Sequence, residues 1–87
     1  MNFTQAITKH IVKLVGVLKD EEELQEVLKR KFTKRKYKTF VAFEEKKSID
    51  EIKTILKCSD EAEINKLYQT TIKKLNQELF KKELVEN

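Results

Sequence analysis

A chain with no proline and a single glycine, Gly16, has little with which to build tight turns. That excludes a sheet-rich fold with many hairpins and favours helices joined by short polar links. The 87 residues make one domain, and a 39% charged fraction suits small helices with solvated outer faces. The expected fold is all-α, a small bundle of about five helices.

The clearest local signals lie between Ser48 and Leu79. Ser48-Ile49-Asp50-Glu51 is a capping box, and Ile49, Ile52 and Leu56 follow at helical spacing. Periodicity stops at Leu56. Ser59 or Asp60 caps a new helix, Asp60 with Glu63 forming a second capping box. The new helix carries Ile64, Leu67, Tyr68, Thr71, Ile72, Leu75 and Leu79 as one stripe and continues to about Leu84, with Val85–Asn87 fraying. Two amphipathic helices meeting at a sharp turn must bury their stripes on a third element, and a helix-turn-helix is one such solution.

This stretch resembles the helix-turn-helix of RNA polymerase sigma factor region 4. Ser48, Glu51, Ile52, Leu56, Cys58 and Ser59 match its first half, and Ile64, Tyr68, Thr71 and Lys73-Lys74-Leu75 its second. Tyr37, Phe40, Val41 and Phe43 sit where the preceding helix of that family keeps its apolar residues, so the likeness covers roughly Thr33–Leu79. Lys53 stands where the family has a small Ala, Lys57 where it has the turn Gly, and one extra residue separates Ser59 from Ile64. The resemblance implies DNA binding and transcription regulation, and it also allows RNA polymerase or another regulatory protein as partner.

The remaining helices are read in order. Asn2 or Thr4 caps a first helix over Thr4–Lys19, in which Ile7, Ile11, Leu14 and Leu18 follow the 4-3-4 spacing of a packing seam. Val12, Val15 and Val17 widen that face, which needs cover from more than one side. The seam is either a homodimer interface or the central core of a monomer. Gly16 within it either admits a close neighbour or marks an early end. Asp20 with Glu23 caps a second helix, Glu21–Phe32, with acids at its start and Lys29, Arg30 and Lys31 at its end, as the helix dipole prefers. Thr33 caps a third, Lys34–Lys46, with Tyr37, Phe40, Val41 and either Phe43 or Glu44 facing inward. The chain thus divides into an N-terminal helical pair, 1–32, and a helix-turn-helix region, 33–84.

Charge is uneven. The net charge is +4, yet residues 29–47 hold nine Lys or Arg against two acids, while 48–87 are nearly balanced. Lys34, Arg35, Lys36 and Lys38 crowd the start of the third helix, where the dipole disfavours cations. Phosphate groups would relieve that repulsion. These four, with Lys46 and Lys47, are candidate phosphate contacts. Glu61, Asn65, Lys66, Gln69 and Lys73 are candidate base or phosphate contacts on the last long helix, since Asn and Gln read adenine and Glu accepts from cytosine. Asp60, Glu61 and Glu63 oppose DNA at that helix's start, which suits a protein-protein interaction module better. Seventeen of nineteen basic residues are Lys, so codon bias is a competing source of the patch.

Chemistry has few carriers. One His and one Cys cannot complete a zinc site. His10 reads as a surface residue of the first helix and Cys58 as a packed hydrophobe. With one glycine there is no phosphate-cradling loop. The chain reads as a non-enzyme without cofactor. No 18-residue apolar run or leader pattern is present, so no membrane partner is expected and the cytoplasm is the expected location.

Overall fold

The computed structural model describes residues 1–86 and shows an all-helical protein. Six helices follow one another: α1 (Phe3–His10), α2 (Glu21–Lys31), α3 (Lys34–Glu44), α4 (Ile49–Leu56), α5 (Glu61–Leu75) and α6 (Glu78–Leu84). Five of the six are capped by side chains. Asn2, Asp20, Thr33, Ser48 and Asp60 each accept a backbone N–H from the first turn of the helix they precede. None of the described helices is long and apolar enough to cross a membrane.

The second helix ends at Lys31 rather than Phe32 and the third at Glu44 rather than Lys46; two larger departures from the sequence expectation both involve Asn76. The first helix was expected to run to Lys19 but ends at His10. There the Asn76 Nδ2 donates to the His10 carbonyl at 3.0 Å, and Asn76 Oδ1 accepts from Val12 N–H at 2.9 Å. The chain beyond favours leaving the helix: Ile11, Val12, Val15 and Val17 are β-branched, and Gly16 takes φ +109°. At the other boundary, Asn76 N–H closes the end of α5 on Ile72 and Lys73 carbonyls at 3.2 Å. The rod therefore breaks, and α6 starts afresh at Glu78, making six helices rather than five.

The segment after α1 runs extended along the C-terminal end. Leu18 pairs with Val85 in an isolated antiparallel bridge, with Lys19 N–H on Leu84 O at 2.9 Å and Glu86 N–H on Val17 O at 2.8 Å. Val85 and Glu86 are thus tied down rather than frayed, and Asn87 lies outside the described residues. Gly16 belongs to no helix; a Cβ there would sit 3.4 Å from the Val85 side chain. Ile7, Ile11, Leu14 and Leu18 consequently do not form a helical seam. Ile7 is buried in the chain's own core, and the other three are half-buried along the extended segment.

Two apolar clusters share α3 and α5 as a spine. The larger gathers Ile7, Leu24, Leu28, Phe40, Leu75 and Leu84 with their neighbours, and Phe32 stacks on Phe80 at 5.0 Å within it. The smaller is Ala42, Ile52, Leu56 and Ile64, uniting α3, α4 and α5. Because α3 is packed by α2, α4 and α5 together, it buries Thr39, Phe40 and Ala42 most deeply. Tyr37 and Val41, expected inside, are only half-buried. Thr39 tolerates burial because its hydroxyl donates to the Arg35 carbonyl at 2.7 Å.

Candidate nucleic-acid interface

The turn between α4 and α5 occupies Lys57–Asp60 and is built from backbone bonds. Lys57 takes φ +52°, ψ 43°, the left-handed conformation. Its N–H meets Thr54 O at 3.3 Å, and the next N–H, of Cys58, reaches back to Lys53 O at 3.0 Å. Cys58 packs half-buried against the smaller cluster. Asp60 then starts α5 by accepting Ala62 N–H at 3.0 Å and Glu63 N–H at 3.3 Å. At the entry to α4, Ser48 Oγ accepts Glu51 N–H and also meets the Glu51 carboxylate, each at 3.2 Å.

Helix α5 is held along one side. Ile64, Thr71 and Leu75 are buried, and Leu67, Tyr68 and Ile72 flank them half-buried. By helical spacing Ala62, Lys66, Gln69 and Lys73 fall on the opposite side, all exposed. Asn65 lies at one border of that row, and Glu61 and Glu63 lie to either side of its start, also exposed. Lys66 and Lys73 make no ion pair among the described residues.

The other candidate cations fall into two groups. Lys34, Arg35 and Lys38 are exposed and Lys36 half-exposed, at the end of α3 that faces α1 and α2; Tyr37 beside them stacks on Phe3 at 6.3 Å. Lys46 and Lys47 sit in the link before α4. Lys46 has φ +58° and is exposed; Lys47 approaches Glu51 at 3.9 Å. Phe43 stacks on Tyr68 at 4.1 Å, whereas Phe40 belongs with Leu75, so α3 and α5 run in opposite directions. Lys34–Lys38 therefore lie toward the far end of α5 from Glu61 and Glu63. Lys46 and Lys47 lie toward its near end.

A polar cluster on the spine has no counterpart in the sequence reading. His10 is not simply a surface residue. Its Nε2 contacts Glu44 Oε1 and the Tyr68 hydroxyl, the latter at 3.1 Å, and its ring meets Phe40 and Tyr68 edge-on. Lys9 Nζ donates to Glu44 Oε2 at 2.9 Å. The Glu44 side chain is 6% exposed. Burial pushes its carboxyl up, but the hydrogen bonds and charges of Lys9 and His10 outweigh that and hold it below the usual carboxylate range. Burial, with the Glu44 charge added, pushes the Tyr68 phenol up. These contacts join α1, α3 and α5, and no spacing along the chain foretells them.

A second carboxylate closes the start of α1. Glu21, at the head of α2, accepts the Phe3 N–H and, at 3.0 Å, the Thr4 N–H, with the Thr4 hydroxyl at 3.1 Å. Burial pushes the Glu21 carboxyl up, and these bonds outweigh it and lower it. Among the described residues no three His, Cys, Asp or Glu side chains converge as a metal site would require.

No protein-family model matches the chain, and no curated protein or solved structure shows significant similarity to it.

Proposed function

We propose that the protein binds duplex DNA as a helix-turn-helix protein, with α5 laid in the major groove. The observation that carries this reading is the outer row of α5. Lys66, Gln69 and Lys73, bordered by Asn65, are exposed, and both lysines are free of ion pairs among the described residues. Such a row offers amide groups for adenine edges and cations for phosphate. Lys46 and Lys47, just before α4, take the flanking phosphates. Asp60, engaged as a helix cap, keeps its charge and with Glu61 and Glu63 opposes phosphate at the border of the row. Arg35 and Lys36 act at a distance through the local potential. Transcription regulation is the role such a reader would serve.

Fluorescence anisotropy with labelled mixed-sequence duplexes tests the proposal. If four lysines each displace a counterion, log affinity falls against log salt with a slope of about −3 to −4 between about 50 and 200 mM. Lys66→Ala and Lys73→Ala each reduce the slope by about one. Gln69→Ala weakens a preferred sequence by about 1–3 kcal/mol and leaves random duplex unchanged. No binding at about 50 mM salt, or a flat salt response, would refute the reading.

A further inference from the structure

Helix α3 leaves Tyr37 and Val41 only half-buried. Tyr37, Val41 and Ala42 line a shallow groove against Ile55 of α4, with a volume of about 200 Å³. Lys38, Glu45 and Lys47 complete its lining. Ile55 is 36% exposed and belongs to neither apolar cluster. A groove below the roughly 300–1,000 Å³ of small-molecule pockets suits one or two side chains of a peptide better than a free ligand.

Charge around the groove selects among peptides. Lys38 is exposed and makes no ion pair among the described residues, and Lys34, one helical turn earlier on the same face, is in the same state. Lys47 has only a loose partner in Glu51, at 3.9 Å and in solvent, a pairing that a better-placed carboxylate displaces at small cost. Glu45 is the one acid in the lining. Apolar floor and cationic rim together complement an acidic amphipathic segment, in the helix-in-groove mode of recognition.

We infer that the α3–α4 groove docks an acidic amphipathic segment of a partner protein, an apolar side chain seating on Val41 and Ile55 while carboxylates meet Lys38 and Lys47. This surface lies on different residues from the outer row of α5, so the inference does not rest on DNA binding. Lys47 is the one cation the two readings share, so DNA and such a partner would compete for it.

The test is an amide NMR titration of the full chain with a synthetic acidic peptide that presents Leu and Phe one helical turn apart among Asp and Glu. Saturable shifts centred on Tyr37, Val41 and Ile55 are expected. Ile55→Asp and Lys38→Glu, both at surface positions and checked for native helicity, should each weaken binding at least about tenfold. Ile55→Ser, which adds no charge beside Lys47, should also weaken docking while leaving duplex affinity at the parent's value, so that loss of DNA binding and loss of docking are separable. The inference is overturned by absence of binding up to about 1 mM peptide. Equal binding of a peptide with Lys in place of every acid, or shifts centred elsewhere, would also overturn it. So would shifts of the groove residues with protein concentration alone, which would assign the face to a second copy.

Discussion

Two lysines occupy backbone conformations that suit glycine, and replacing them measures how much the turns cost. Lys57 and Lys46 have φ +52° and +58° and follow α4 and α3, respectively. An L-residue in this region is disfavoured by about 1–2 kcal/mol through contact of its Cβ with the backbone. Glycine removes that cost but gives the unfolded chain more freedom, an offset of about 0.5–1 kcal/mol. Lys57 is exposed and makes no ion pair among the described residues, so little side-chain energy is lost. Lys57→Gly should therefore stabilise by about 0.5–1 kcal/mol, which raises Tm by roughly 2–8 °C in a domain of this size. Lys46→Gly should do the same. Their backbone bonds share no partner, Phe43 in one case and Thr54 in the other, so the gains should add. Lys38→Gly, within α3, is the control and should cost about 1 kcal/mol. Urea denaturation followed by circular dichroism gives all four values. If Lys57→Gly costs as much as Lys38→Gly, the left-handed turn between α4 and α5 is wrong.

Two further outcomes follow from the polar cluster and the extended segment. Glu44→Gln leaves Lys9 and His10 without a charged acceptor and should cost about 1.5–3 kcal/mol at neutral pH in chemical denaturation. Because the folded Glu44 carboxyl lies below its ordinary 4.5, its contribution is complete above that pH and is lost as pH falls through the folded value; the variant should show a shallower acid loss than the parent. Val12, Val15 and Val17 are 91%, 81% and 69% exposed, so replacing all three by Ser should change stability by no more than about 0.5 kcal/mol per site. A loss of several kcal/mol in denaturant titrations would mean that these valines are covered in solution.

What the sequence makes legible is what is decided within a few residues. Ser48, Asp60, Asp20 and Thr33 mark helix starts because a cap and its N–H donors lie within three positions of one another. The end of α1 is different in kind. Ile7, Ile11, Leu14 and Leu18 keep helical spacing, yet Asn76, more than sixty residues away, takes the groups that would continue the helix. The face that α3 buries is likewise set by three neighbours at once, which turns Ala42 inward and leaves Tyr37 and Val41 part-covered. Lys66, Gln69 and Lys73 could be placed on the outer side of α5 from the Ile64–Leu75 stripe alone. The His10–Glu44–Tyr68 cluster could not, because it joins residues from three helices.

The bridge between Leu18 and Val85 also bears on how the protein comes into being. Leu84, wholly enclosed, and its neighbours complete a hydrophobic interior begun by Ile7 and Leu24. The chain must have left the ribosome through Leu84 before that interior can close. Until then the nascent chain exposes an unfinished apolar surface. Removing Leu84–Glu86 would take away a wall of that interior rather than trim a tail.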